Sequence, residues 1–388
     1  MDSDSSKFQG LKWKLDGEEI YLRDNRLCMG MSSSPYVFSK MSNFIVRAAQ
    51  RRGCDRVVNY LDDFCIINAT KEGCTRDQLE LVAVLRHMGF DISFKKLSSP
   101  SQITRFLGII VDSQKMNLSL PQDKMDKMME NLRIVDRKNK VTKKVLEQLT
   151  GYLAHASKVV RGGRVFCRRL YDTLKSLKKP HHKVRVAGEM KKDILWWIEF
   201  AQEFNGAARI LGSSAPMVST YSDSSTSWGY GVIHGEDWLA AKWKGVKKEA
   251  AVVIPEHHRG EVPDIPMKDD IINVLELWPI LVALDKWGHQ WKDLSVCMVS
   301  DNTQVVAALR SGKSKNVTSM AWLRKIFWHA VRKNLDIKSV YIRSEDNTIS
   351  DALSRLCDRS SVERIRQADK LGVMCCSKIF CHLQDGGS

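Results

Sequence analysis

No run of about 18 uninterrupted apolar residues occurs in the 388-residue chain, so no membrane-spanning helix is expected. The opening MDSDSSKFQG is polar and acidic, which rules out a standard secretory signal. The 10 cysteines are scattered without a regular framework, which excludes a disulfide-stapled scaffold and predicts reduced thiols in an intracellular protein, cytoplasmic or nuclear. Proline is scarce, at 9 residues, and neither an internal repeat nor a low-complexity tract is present. The deficit that informs most is in acidic charge: 45 Asp and Glu face 61 Lys and Arg, a formal +16. That excess suits a polyanionic partner, because each neutralised phosphate releases condensed counterions, although a solvated basic surface accounts for the bulk figure equally well. Its distribution favours the partner. Arg161, Arg164, Arg168, Arg169, Lys175, Lys178, Lys179, Lys183 and Arg185 crowd one segment, with Phe166 and Tyr171 interleaved.

The length allows two or three domains, each with its own core. Up to about Asp112, strand-like and helical patterns alternate. KFQGLKWKL and GEEIYL read as strands joined by a turn. A helix is predicted over Ser32 to Gln50, capped by Ser32 or Ser33, with Pro35 in its first turn and Val37, Met41, Phe44 and Ile45 at helical spacing. A hairpin at VVNYLDDFCII and a helix from Thr75 to Met88 follow, an order that suits an α+β layer. From Pro121 to about Phe204 the pattern is helical and rich in Lys, Leu and Met. An α/β unit then runs from Met217 to about Leu356. The expected divisions are 1–115, 116–210, 211–357 and a tail, 358–388.

Two sets of carboxylates call for a chemical explanation. Asp62 and Asp63 interrupt an apolar, β-branched run that reads as a buried strand, where carboxylates are costly unless paired or metal-bound. They are either turn residues or ligands presented to a divalent cation. The second set is spread along the α/β unit: Asp223 after a strand, Glu276 on a helix with Val274, Leu277, Leu281 and Leu284, Asp301 at a strand end, and Asp351 opening a helix that Ser350 can cap. Each alone has an ordinary structural role, as a turn, helix-surface, strand-end or first-turn acid.

Tyr60-Leu61-Asp62-Asp63 resembles the Tyr-x-Asp-Asp motif of reverse transcriptases, and its neighbours match in order. LCMGMSSSPYVFSK is similar to the family's Leu-Pro-x-Gly-Leu-Ser-Ser-Ala-Pro-x-x-Phe segment, MGFDISFKK to its phosphate-approaching lysine segment, and RFLGIIVD to its primer-gripping hairpin. The resemblance implies a partial polymerase palm that uses Asp62 and Asp63 as metal ligands. It also implies that Gly30, Ser32, Ser33, Tyr60 and Lys96 meet nucleotide and template, with Lys95 as the alternative to Lys96. RNA template, DNA primer and dNTP would be the partners. The family needs one more metal-binding aspartate, on a strand roughly a dozen residues before KFQG; Asp2 and Asp4 lie too close to serve. With that strand and the fingers missing, the expectation is that this chain alone does not polymerise.

The order strand-Asp, helix-Glu, strand-Asp, helix-Asp resembles that of the ribonuclease H fold, and YSDSSTSWG, NVLEL, SDNTQVV and DNTISDALSR are similar to retroelement ribonuclease H motifs. By that resemblance Asp223, Glu276, Asp301 and Asp351 hold two Mg²⁺ or Mn²⁺ ions and cleave RNA in RNA–DNA hybrids. The chain departs from many such enzymes in SVYIRSEDNTISD, which offers Tyr341, Arg343 and Glu345 but no histidine before the last aspartate, so slowed cleavage is expected. The joining segment LTGYLAHASKVVRGGRVFCRRLYDTLKSL resembles that of DIRS-like retroelements, with gypsy-like elements as nearest competitor. It implies that Arg161, Arg164, Arg168 and Arg169 follow a nucleic-acid backbone. Between Trp243 and Asp270 an acidic loop with His257 and His258 reads as an insertion. Cys375, Cys376, Cys381 and His382 lack a matched Cys-x-x-Cys pair and read as free thiols rather than a zinc site. The resemblance spans nearly all of Lys7 to Leu356. The expected architecture is thus a partial palm, a helical thumb and connection, and a ribonuclease H-like α/β domain. The competing reading is a non-catalytic, nucleic-acid-binding remnant of a retroelement.

Overall fold

Short hairpins and two amphipathic helices account for the first part of the chain. In the computed structural model the described residues are 10–24, 26–210, 217–264, 271–370 and 384–385, and the chain divides into two compact units, Met1–Lys115 and Met116–Ser388. In the first unit β1 (Gly10–Leu15) and β2 (Glu18–Arg23) pair antiparallel around Asp16 and Gly17, whose φ values of 49° and 93° match the right-handed strand twist. Helix α1 (Ser34–Arg51) carries Pro35 in its first turn as predicted. Neither predicted serine caps it, however: Ser33 makes no side-chain cap bond, and the Ser34 hydroxyl turns back to donate to the Cys28 carbonyl at 2.6 Å. Of its predicted apolar face only Ile45 is buried, while Val37, Met41 and Phe44 are exposed.

Strands β3 (Val57–Tyr60) and β4 (Asp63–Ile66) form the expected hairpin. Helix α2 (Lys71–His87) starts four residues ahead of Thr75, because the Thr70 hydroxyl accepts from the Gly73 amide at 3.0 Å and caps it there. Ile45, Ala49, Cys54, Val57, Leu81 and Val84 make the small core between these elements. A last hairpin, β5 (Ile103–Phe106) and β6 (Ile109–Asp112), turns through Leu107 and Gly108, both at positive φ.

The second unit begins with β7 (Asn117–Ser119), α3 (Gln122–Arg137), β8 (Lys140–Thr142), α4 (Lys143–Ala156), α5 (Arg168–Ser176), β9 (Lys183–Arg185), α6 (Gly188–Phe200) and β10 (Ala208–Arg209). The helices bury a methionine- and leucine-rich face that includes Met125, Met128, Leu132, Leu146 and Leu149, and Phe166 stacks on Trp196 at 4.0 Å. Then come β11 (Met217–Ser224), β12 (Gly229–His234), β13 (Asp237–Lys242), β14 (Val252–Val253), α7 (Ile272–Leu275), α8 (Trp278–Trp287), β15 (Ser295–Ser300), α9 (Thr303–Ser311), α10 (Val317–Arg332), β16 (Asp336–Tyr341), α11 (Thr348–Leu353) and α12 (Arg359–Lys370). Five of these strands form one mixed sheet in the order β13-β12-β11-β15-β16, with β11, β15 and β16 parallel and β12 antiparallel to both neighbours. Every residue of β15 is buried, as a central parallel strand covered on both faces requires. Among the described residues no helix is long and apolar enough to cross a membrane.

The sequence places a division near 205–215, yet the structure keeps both sides of that point in one unit. Asp193 of α6, 1% exposed, accepts from Arg324 of α10 at 3.2 and 3.3 Å and from Arg169 of α5 at 3.0 Å. Burial pushes the Asp193 carboxyl up to about 6 even with both guanidinium groups opposing it. Removing that carboxylate strands the buried Arg324 and leaves Arg169 with Glu189 alone. Asp193→Ala is therefore expected to lower the unfolding free energy by about 3–5 kcal/mol, read from the urea midpoint at unchanged slope. A loss below about 1 kcal/mol would show that the ion group does not join the helices to the sheet.

Candidate metal centre

Parallel strands put their carboxyl ends on one edge of a sheet, and here that edge carries two of the four carboxylates. Asp223 lies within β11, one residue from its end, and Asp301 directly follows β15. Between them comes Glu276, predicted on a continuous helix. The helix is instead interrupted: α7 ends at Leu275 and α8 starts at Trp278. Pro279 is the reason. It has no amide to give the Leu275 carbonyl four residues back. That carbonyl accepts from the Ser224 hydroxyl at 3.1 Å, so the residue after Asp223 is tied to the residue before Glu276.

Ligand atoms of Asp223, Glu276 and Asp301 all lie within 4.8 Å of one another. Asp223 and Glu276 are each only 4% exposed. Burial raises the Asp223 carboxyl from 3.8 to about 6; a hydrogen bond from the Ser354 hydroxyl, at 2.5 Å, opposes the shift, and the charges of Asp301 and Asp351 add to it. Burial, then Asp223 and Asp301, push Glu276 well above the usual carboxylate range. Its Oε2 is buried with no hydrogen-bond partner. A crowded trio, two of its members buried and one oxygen orphaned, is the donor set that a hard divalent cation satisfies, so these residues could hold a metal ion.

The second layer is equally specific. Gly231 pairs opposite Asp223, and a Cβ there would sit 2.3 Å from Leu353 Cβ and 2.8 Å from the Ser350 carbonyl. Gly231 thus serves the close approach of α11 to β12. Asn347, just before α11, donates to the Ser222 carbonyl at 3.1 Å, and Asn302 caps α9 while donating to Asn273 at 2.9 Å.

Asp351 departs from expectation. It does lie in the first turn of α11, but Ser350 does not cap that helix; its hydroxyl bonds to Asn347. Asp351 stays outside the three-carboxylate cluster; its Oδ1 accepts from Arg355 Nε at 2.8 Å and its Oδ2 from Arg364 Nη1 at 2.7 Å. The sequence reading missed both arginines and Ser354. Arg355 was legible as the residue four after Asp351 on a helix. Arg364 was not, since nothing local announces that α12 folds back to the site.

The hairpin acids are placed differently. Asp62 and Asp63 stand at the tip of β3 and β4, both exposed, with Leu61 at φ 53°. Val58 and Tyr60 are exposed as well, so the apolar run is a surface hairpin and not the buried strand its composition predicts. Among the described residues the only cluster of three or more potential metal ligands is the sheet trio. Gly30, at φ 92°, Ser32 and Ser33 precede α1 on exposed backbone, and Lys96 ends an exposed single turn, Phe94–Lys96.

Of the four basic-segment arginines, Arg161 donates to the Leu335 and Ala207 carbonyls, and Arg169 is held by Asp193 and Glu189. Arg168 pairs with Asp172 at 3.1 Å, and Arg164 is exposed. In the insertion, His258 is buried, stacks on Trp238 at 4.2 Å and bonds its carbonyl, and neither it nor His257 joins a metal cluster. The Cys375, Cys376, Cys381 and His382 group lies outside the described residues.

No protein-family model and no curated protein matches this sequence. Among solved structures, the chain is similar to foamy viral protease-reverse transcriptase in complex with RNA/DNA hybrid (TM-score 0.46, 15% identity, 89% of this chain, 42% of that one). It is also similar to the same kind of protein with dsDNA (0.45, 14%, 89% and 64%) and to its dRH form with dsDNA (0.45, 13%, 89% and 54%). This chain therefore spans between 42% and 64% of those chains.

The raised carboxyls fix the sign of a pH effect. Folded, metal-free protein keeps protons that the unfolded chain releases, so the contribution of this site to stability is present below pH 3.8 and is lost as the pH rises through about 6. Glu276→Gln removes the buried ionisable group at constant shape. It should raise the metal-free melting midpoint at pH 7 by roughly 2–4 °C per kcal/mol relieved. Mn²⁺ is expected to raise the melting midpoint of wild type and not that of the variant, both read by thermal denaturation with and without MnCl₂. An unchanged Mn²⁺ response in the variant would remove Glu276 from the metal site.

Proposed function

We propose that the sheet domain of this chain hydrolyses the RNA strand of RNA–DNA hybrids, as the retroelement ribonuclease H motifs imply. The supporting observation is the trio Asp223, Glu276 and Asp301, converging within 4.8 Å at the carboxyl edge of parallel strands, where α/β sheets bind their ligands. These three residues would hold the divalent cation, Mg²⁺ or Mn²⁺. A bound ion of this kind polarises a phosphodiester and lowers the pKa of water to supply a nucleophile at neutral pH. Ser354 holds Asp223 in position, and the tie from Ser224 to Leu275 sets the spacing to Glu276. Arg164 and Arg168 are the members of the basic segment best placed to follow a backbone, since Arg161 and Arg169 are engaged within the chain. That segment supports a DIRS-like origin over a gypsy-like one.

The first unit is proposed to be part of a reverse-transcriptase palm. Asp62 and Asp63 would be its metal ligands, and Gly30, Ser32, Ser33, Tyr60 and Lys96 would line the path of template, primer and dNTP. Because no third carboxylate joins Asp62 and Asp63 among the described residues, the purified chain is expected not to extend a primer on an RNA template. Extension that Asp62→Ala abolishes would overturn this.

One observation favours a non-catalytic nucleic-acid-binding role instead: both oxygens of Asp351 are taken by arginines, which leaves three of the four expected ligands. A labelled RNA–DNA hybrid separates the two readings. Mg²⁺-dependent cleavage by wild type, lost by about 10²-fold or more in Asp301→Asn, is the expected result. Salt-sensitive binding with no cleavage difference between the two proteins would establish the binding role.

A further inference from the structure

Asp351 is the one acid of the set whose two oxygens are each hydrogen-bonded by an arginine. Arg355 reaches it from four residues on, a spacing built into a helix. Arg364 reaches it from α12, thirteen residues on, and its second nitrogen also donates to Ser361 Oγ at 3.0 Å. α12 itself is anchored, with Val362 and Ile365 buried against Trp238, Leu353 and Leu356. The Arg364 side chain remains 44% exposed, so the guanidinium can leave while its helix stays. A cation arriving at Asp351 would meet two guanidinium groups already seated on its oxygens.

We propose that Arg364 latches Asp351 away from the metal centre, so that the free chain binds one divalent ion and takes a second when a nucleic-acid phosphate draws Arg364 off. This rests on the reading of Asp223, Glu276 and Asp301 as a metal site. A phosphate offers the guanidinium the same paired acceptors as a carboxylate, and a hybrid laid along the site brings phosphates to an exposed arginine. The latch therefore couples the second ion to the presence of substrate. It also keeps the Asp351 side chain in place without a metal.

Counting Mn²⁺ bound per full-length chain, by titration calorimetry and by paramagnetic resonance of the free ion, tests this independently of cleavage. Wild type should bind one ion, and Asp301→Asn should lose it. Asp351→Asn should keep that ion with affinity within about twofold, because the latched carboxylate is not a ligand. Arg364→Gln should bind a second ion at least about tenfold more tightly than wild type does, and Arg364→Lys, which preserves the charge, should stay at one. Wild type mixed with a hybrid whose RNA strand is 2′-O-methylated, and so resists cleavage, should bind two. A first ion weakened about tenfold or more by Asp351→Asn, or a count of one in Arg364→Gln, would overturn the latch while leaving the metal site intact. No Asp301-dependent ion in wild type would overturn the metal-site reading and the latch with it.

Discussion

Three carboxylates with ligand atoms within 4.8 Å of one another crowd one edge of the sheet, the two buried ones, Asp223 and Glu276, resist ionisation, and the sheet domain is arranged around holding them there. Asp223 cannot retreat, since β11 is paired on both sides and the Ser222 carbonyl is tied to Asn347. Glu276 cannot swing out, because the interrupted helix that carries it is fixed to Ser224 through the carbonyl that Pro279 leaves without an amide. Gly231 lets α11 close over the strand. Each of these features conflicts with a simple rule, such as no proline in a helical run or no glycine in a strand. Such conflicts concentrate where function opposes stability.

The chain contains a second deeply buried acid, and the contrast is informative. Asp193 and Asp223 both have carboxyls pushed up to about 6 by burial. Asp193, however, is saturated by Arg324 and Arg169, so its burial is a joint between helices. Asp223 has one hydroxyl donor and three acidic neighbours, and Glu276 has an oxygen with no partner at all. The raised carboxyl alone does not separate the two sites. What separates them is whether the compensating charge is already in the protein or has to come from solution.

Much of this was legible in the sequence where chemistry and local pattern coincide. The strand and hairpin positions, the three clustering acids and the first-turn position of Asp351 all follow from residue type and spacing. What escaped depended on tertiary contact. The start of α2 was set by the Thr70 cap, ahead of the apolar pattern that located the helix. The burial expected for VVNYLDDFCII failed because β-branched residues mark a strand without saying which face is covered, and Val58 faces outward. Arginines that read as a nucleic-acid track turned out to include Arg161 and Arg169, whose partners lie up to 174 residues away. Charge runs show the sign of a surface only for side chains that the fold leaves free.

The two acidic sets differ in physical terms. Asp62 and Asp63 are exposed, and a cation at the hairpin would have to bring the remaining ligands from water or substrate. In the sheet the repulsion is built in during folding, and a cation that binds there is rewarded by relief of that repulsion as well as by its own bonds. Preorganisation of this kind favours occupation of the sheet site before the hairpin. It also explains why a single added positive group has such leverage at the sheet. Arg364 sits on the one acid that the trio does not include, and there its guanidinium and a second metal ion compete for Oδ2 while Arg355 holds Oδ1.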